Sequence, residues 1–231
     1  MKHALGFGLF GTLLAVWGLW RGGLGWLLLW PAFSFALIAL AYGGLGPRVC
    51  GKRADGRLSW WAVLLLLPYL LGTWTIWYAI RLLSREKCCD EVAPGLWVGR
   101  RPLVRDLPAD ISLIVDLTAE FPAPRALRRG RTYLCVPTLD ATAPEEDAVR
   151  AVIEQISAWS GAVYIHCALG HARSAMTAAA VLIRRGHAQD PEHAVTVMRK
   201  ARPRISLEKS QQRLLERLVL PAIQPAAEAV T

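Results

Sequence analysis

Hydrophobic side chains are distributed in two distinct ways along this chain. Over residues 4–20, 24–45 and 60–80 they form near-continuous apolar runs. A helix that crosses a bilayer needs about 20 mostly apolar residues. The second and third runs meet that length and the first is short but sufficient, so three transmembrane helices are predicted. Beyond residue 90 the runs shorten. Residues 96–99 (LWVG), 111–117 (ISLIVDL), 131–136 (RTYLCV) and 162–166 (AVYIH) read as strands, the second continuous and β-branched as in a strand buried on both faces. Helical periodicity over 144–159, 173–185, 191–200 and 206–218 alternates with them, with Pro144 and Pro191 at helix starts. The pattern predicts an α/β fold, a central, mainly parallel sheet flanked by helices, preceded by an all-α transmembrane region.

The predicted organisation is therefore a transmembrane region over 1–80, a juxtamembrane linker over 81–94, a catalytic-type domain over 95–220 and a loose Ala/Pro-rich tail over 221–231. Trp17, Trp20, Trp26, Trp30, Trp60, Trp61, Trp74 and Trp77 crowd near the ends of the apolar runs, as expected of rings at the headgroup level. No small-x-small cleavage site follows the first run, which favours a retained helix over a signal peptide. Glycines such as those at 6–11 offer helix–helix contact. Three spans would put Lys2 and the loop holding Arg48, Lys52, Arg53 and Arg57 on one side, and Arg21, Arg81, Arg85, Lys87 and the soluble domain on the other. The positive-inside rule then pulls both ways. A break of the third run at Pro68 into a re-entrant hairpin would unite the basic groups.

Charge narrows the partners. Of the charged side chains only Lys2, Arg21, Arg48, Lys52, Arg53, Asp55 and Arg57 precede residue 80, and the whole chain carries a net +9. Such an excess suits an anionic membrane surface or a phosphorylated substrate. Zinc-ligand spacing, a helix-turn-helix pattern and aromatic–basic interleaving are all missing, so nucleic acid is not an expected partner. Five cysteines, Cys50, Cys88, Cys89, Cys135 and Cys167, show no disulfide spacing. A reduced compartment is expected, and with it a cytoplasmic soluble domain on a plasma (inner) membrane. Cys88 and Cys89 are either plain juxtamembrane residues or acylation sites.

The chemistry concentrates in His166-Cys167-Ala168-Leu169-Gly170-His171-Ala172-Arg173-Ser174, which follows a strand and opens a helix. Amide N–H groups of such a loop, backed by a helix N-terminus, cradle a phosphate dianion and favour a thiolate. Arg173, six residues after Cys167, brings a planar fork that fits two phosphate oxygens. Ser174 is placed to hydrogen-bond the sulfur. The predicted reaction is attack of Cys167 on phosphorus, a phosphocysteine intermediate, and its hydrolysis. A general acid must protonate the leaving oxygen. Asp140, after an apolar strand and Pro137, is the first choice, with Asp116, Glu145, Glu146 and Asp147 as rivals. His166 is expected to hold the loop, and His171 either to touch the substrate headgroup or to be exposed. No metal ligand set is present in the sequence and no cofactor is expected.

His166-Cys167, Gly170 and Arg173-Ser174 resemble the signature of the protein tyrosine phosphatases, and the likeness extends over roughly residues 95–218. Within that superfamily the chain is most similar to the dual-specificity phosphatases of the mitochondrial phosphatidylglycerophosphate phosphatase branch. Residues Ile114 to Thr118 with Glu120 resemble the branch's strand before the variable loop, Val136-Pro137-Thr138-Leu139-Asp140 its acid-loop start, and Arg202-Pro203 with Gln211 and Leu214 its C-terminal helix pair.

The resemblance implies a cysteine-dependent phosphoric monoester hydrolase. With a tether of about 14 residues, reaching at most about 50 Å, and with Arg81, Arg85, Lys87, Arg100, Arg101 and Arg105 near it, the domain is expected to patrol anionic lipid. A phospholipid headgroup, of phosphatidylglycerophosphate or phosphoinositide type, is the expected substrate. The alternative is a tethered phosphatase acting on phosphoproteins, and a third reading is a membrane phosphate-binding protein without turnover. The sequence leaves the oligomeric state open.

Overall fold

The computed structural model describes residues 2–219; the tail expected at 221–231 lies outside them. Helix α1 (Lys2–Arg21) folds back on the helical segment Gly23–Leu45, whose centre is α2 (Leu29–Leu40). The two backbones touch where side chains are absent. A Cβ on Gly18 would lie 2.7 Å from the Gly25 carbonyl oxygen, and one on Gly25 equally close to that of Gly18. Gly6 faces open space, so the packing role falls to this pair and to Gly11. Helix α3 (Trp60–Leu83) runs through Pro68 without a break, which removes the re-entrant hairpin expected there. Each of the three helical segments is long and apolar enough to cross a membrane.

The soluble part is built on a five-stranded sheet in the order β1-β2-β5-β3-β4. Its strands are β1 (Cys89–Ala93), β2 (Leu96–Arg100), β3 (Ile111–Thr118), β4 (Thr132–Thr138) and β5 (Ala162–Cys167). Only the β1–β2 pair is antiparallel, so the sheet is mixed and mainly parallel. A one-turn helix α4 (Arg125–Arg128) precedes β4. Helices α5 (Glu146–Ser157), α6 (Arg173–Arg184), α7 (Pro191–Ala201) and α8 (Lys209–Val219) complete the domain.

The alternation along β3 divides the core. Leu113, Val115 and Leu117 pack with apolar residues of α5 to α8, while Ile114 joins Leu127 and Tyr164 on the opposite face. Helix α7 starts as expected, with Pro191 in its first turn and Asp190 accepting from His193 N at 2.8 Å. Helix α5 starts later than Pro144, because Glu145 takes the capping position and accepts from Ala148 N at 3.2 Å.

The expected linker over 81–94 is not a tether. Its first residues finish α3 and Cys89–Ala93 form the edge strand β1. Its charged residues Asp90 and Glu91 are typical of a protected edge and hide the strand from a hydropathy pattern. The helical region is correspondingly fixed against the domain: Ile38, Cys50, Leu66, Tyr69 and Leu70 share one apolar cluster with Ala119 and Leu139. Trp74 and Trp77, expected at the headgroup level, instead donate their indole N–H groups to the carbonyls of Glu120 and Ala168, at 2.9 and 2.8 Å. The α2–α3 region thus covers the segments that follow β3, β4 and β5.

Candidate active site

Strand β5 delivers Cys167 at its last position, and α6 begins at Arg173, so the loop between them is held at both ends. Cys167 is buried. Its Sγ lies 3.3 Å from Ser174 Oγ and accepts the Gly170 N–H at 3.2 Å. Gly170 has φ +79°, and a Cβ there would collide with the Gly99–Arg100 backbone of β2. Only glycine allows the loop to turn while packed this closely on the sheet.

Arg173 is 1% exposed and its guanidinium is fixed from several directions. Glu120 accepts two bonds from it, Nη2 to Oε1 at 2.9 Å and Nη1 to Oε2 at 3.1 Å. Nη1 also donates to the Thr138 carbonyl at 2.7 Å, and Nη2 lies 3.0 Å from Asp140 Oδ1. Burial works against its charge, but Glu120, Asp140 and Cys167 outweigh it and hold the pKa well above the usual value. Among the described residues its Nε has no hydrogen-bond partner, leaving one fixed donor for an anion beside the loop. In the sequence Glu120 is only part of the strand motif, and an acid in an otherwise apolar stretch is the one signal of its role as the clamp of Arg173.

Asp140 is brought to the site by the turn after β4. Its side chain is largely exposed, while its backbone carbonyl accepts from Tyr42 Oη at 3.1 Å. Ala141 follows with φ 55°, a left-handed conformation uncommon outside glycine. Of the rival acids, Glu145 caps α5, Glu146 pairs with Arg150 and Arg217, and Asp147 sits in the exposed first turn of α5.

Asp116 occupies a separate buried network. Its Oδ2 accepts from Lys52 Nζ at 2.7 Å and Tyr133 Oη at 2.6 Å, and its Oδ1 from Thr118 N and Oγ1 at 2.8 and 2.7 Å. Burial alone would raise its pKa, but the Lys52 ammonium and the hydrogen bonds pull it well below the usual carboxylate range. His166 Nδ1 lies 3.9 Å from Asp116 Oδ1. Burial pushes the His166 pKa down to about 4, so its ring is neutral, and its buried Nδ1 has no hydrogen-bond partner among the described residues. Lys52, a loop lysine flanked by apolar runs, carried no sequence signal for this partnership.

His171 does not face the pocket freely. Its Nε2 meets Glu86 Oε2 at 2.8 Å, and burial lowers its pKa against the pull of that carboxylate. The same network contains Arg202, fully buried, which donates to the loop carbonyls of Gly170 and Leu169 at 2.9 and 3.0 Å and to Asp90 at 2.8 Å. Ala168 and Leu169 line a cleft beside the loop, and Ala172 precedes the first turn of α6. Of the basic residues expected at lipid, Arg81 pairs with Asp106 at 2.6 Å and buried Arg101 stacks on Trp77 and Phe121; Arg85, Lys87 and Arg105 remain exposed. The His/Cys/Asp/Glu side chains of the described residues form no group able to hold a metal.

A buried cysteine in an amide loop, a clamped arginine and an adjacent carboxylate suit phosphoryl transfer through sulfur. Residues 106–218 match the dual specificity phosphatase catalytic domain. The fold is similar to that of Tk-PTP in its active form (24% identity, TM-score 0.52, covering 57% of this chain and 95% of that one). It is also similar to PTPMT1 in complex with PI(5)P (23%, 0.51, 57% and 94%) and to the human tyrosine phosphatase-like serine/threonine/tyrosine-interacting protein (20%, 0.51, 57% and 95%). Among curated proteins none matches this chain in sequence. Residues 106–218 are thus a dual specificity phosphatase catalytic domain, and the chain is a cysteine-dependent phosphatase.

Proposed function

We propose that the protein is a membrane-anchored lipid phosphatase that removes a terminal phosphomonoester from a phospholipid headgroup. One observation carries the choice of substrate. A cleft of about 340 Å³ joins the phosphate loop to the helical region. Asp140, Ala168 and Leu169 form its catalytic wall, and Phe7, Tyr69 and Ile76 an apolar wall opposite. An apolar wall beside the phosphate site suits the glycerol and acyl part of a lipid, whereas a phosphopeptide gains little from it. The fold shared with a phosphatase crystallised with PI(5)P supports the same reading.

In this reading Cys167 Sγ attacks phosphorus, and the S–P bond forms as the bond to the leaving oxygen breaks. Asp140 supplies the proton that the leaving alkoxide takes. Arg173 and the loop amides hold the three equatorial oxygens. A water then attacks phosphorus and gives its proton to the Asp140 carboxylate. The P–S bond breaks, releasing inorganic phosphate and restoring the thiolate, which Ser174 Oγ stabilises. His166 and Arg202 position the loop and take no proton.

The test is phosphate release by the full-length protein in mixed micelles, against phosphatidylglycerophosphate, phosphoinositides and a phosphotyrosine peptide, with Cys167→Ser as control. Preference for a lipid, abolished in the variant, is expected. Preference for the peptide would transfer the assignment to a tethered phosphoprotein phosphatase. Phosphate release that persists in Cys167→Ser would remove Cys167 as nucleophile.

A further inference from the structure

Three apolar helical segments do not make three crossings. We infer that α3 lies along the membrane surface between the bilayer and the catalytic domain, so that residues 46–59 stay on the catalytic domain's side. This rests on the membrane reading above and adds its topology.

Both ends of α3 are pinned to one domain. Before it, Lys52 Nζ binds Asp116 Oδ2 at 2.7 Å and the Thr118 carbonyl at 2.7 Å, with the lysine side chain fully buried. Close by, Ala123 N donates to the Gly56 carbonyl at 2.8 Å. After it, Arg81 Nη2 meets Asp106 Oδ2 at 2.6 Å. Asp116 lies in β3 near its C-terminal end and Asp106 in the short turn that precedes the strand, both in the same domain. The 24 residues of α3 extend about 36 Å, which is about the width of a domain of this size. Between the pinned ends, Trp74 and Trp77 bind carbonyls of Glu120 and Ala168. A bilayer core about 30 Å thick cannot separate residues 46–59 from a domain whose Asp116 they hold. If α3 crossed, the charged site around Arg173 would sit at mid-membrane depth beside it.

The surface of α3 that the domain leaves uncovered is apolar and suits acyl chains. Trp60, Leu64, Leu71, Tyr78 and Leu82 are exposed along one side of the helix, and exposed basic residues flank it, Arg53 and Arg57 before it and Arg85 and Lys87 after it. That is an apolar stripe for acyl chains between cations for headgroups. The N-terminus belongs to the same side. His3 lies 5.3 Å, ring to ring, from Tyr42, whose hydroxyl binds the Asp140 carbonyl. Every basic residue before position 90 except Arg21 then sits on the catalytic side, and the conflict with the positive-inside rule disappears.

The experiment places single cysteines at two exposed loop positions, Ala54→Cys and Arg57→Cys, in the full chain carrying a C-terminal epitope. Labelling by a membrane-impermeant maleimide is compared with the unsubstituted chain, before and after permeabilisation, and set against protease access to the epitope. Both loop positions are expected to share the epitope's side. Either position reacting from the opposite side overturns the inference and restores three spans. Release of the chain from membranes by an alkaline wash would instead overturn the membrane reading itself.

Discussion

The indole N–H of Trp77 donates to the carbonyl of Ala168, the residue after Cys167, at 2.8 Å. The same carbonyl accepts the Arg101 N–H at 3.1 Å, and Arg101 stacks on the Trp77 ring. Two donors fix one peptide plane of the phosphate loop, and a planar peptide turns the following N–H of Leu169 the opposite way. An apolar helix thus reaches the cysteine loop, and a sequence that reads as an anchor also holds that loop in place.

Trp77→Phe keeps the ring and removes the donor. The expected loss is one neutral hydrogen bond, about 1 kcal/mol, which is a fall of roughly five-fold in kcat/KM. Steady-state kinetics on p-nitrophenyl phosphate, a soluble substrate, separate this from lipid binding. The fall is expected in kcat. Unchanged kinetics with a lower Tm would make the contact purely structural.

Lys52→Met leaves Asp116 buried with its countercharge removed, and breaking one side of a buried pair costs about 3–5 kcal/mol. The pH profile gives a sharper test than the loss itself. Asp116 has a depressed pKa in the folded protein, so the stability it contributes is present above the ordinary carboxylate pKa of about 4 and is lost as pH falls below it. In Lys52→Met, burial dominates and raises that pKa, so protonation of Asp116 relieves the variant. Thermal melts are expected to show wild type losing stability progressively as pH falls below 4, and the variant gaining on wild type over the same range.

His166 titrates in a different window. Its folded pKa of about 4 lies below the ordinary imidazole value of about 6.5. The unfolded chain therefore binds the proton first, and stability falls as pH drops from 6.5 to 4, by on the order of 3 kcal/mol. His166→Gln removes the titrating group. Chemical denaturation at pH 7 and pH 4.5 is expected to give a smaller difference in the variant than in wild type. An equal difference would assign the acid sensitivity to other groups.

The strands that build the site were legible because burial on both faces leaves uninterrupted apolar runs, as in residues 111–118. The cysteine loop was legible because phosphate binding requires Gly170 and Arg173 at fixed spacing. Strand β1 was not: at a sheet edge Asp90 and Glu91 carry its charge, and its pairing with β2 through the Pro94-Gly95 turn leaves a weak apolar signal. The partners of Arg173, Asp116 and Ala168 were hidden for a different reason. Glu120, Lys52 and Trp77 meet those partners 53, 64 and 91 residues away in sequence, and hydropathy reports only that α3 is apolar. Helix length and composition tell what a segment tolerates, whereas its place is set by the few polar groups that need partners.

Asp140 is the remaining assignment that a substitution decides directly. Its carboxylate stands beside Arg173, its backbone is tied to Tyr42, and Ala141 holds the turn in a left-handed conformation, so removing the acid leaves the turn intact. An alkyl phosphate, the kind found in a glycerolipid headgroup, leaves as a strongly basic alkoxide and needs a proton in the transition state. A p-nitrophenolate leaves without one. Asp140→Asn is therefore expected to lower kcat on an alkyl phosphate by about 10²–10⁴-fold, and on p-nitrophenyl phosphate by a much smaller factor. Equal losses on both substrates would make Asp140 a partner of Arg173 rather than the acid, and no loss on the alkyl substrate would move the proton donor elsewhere.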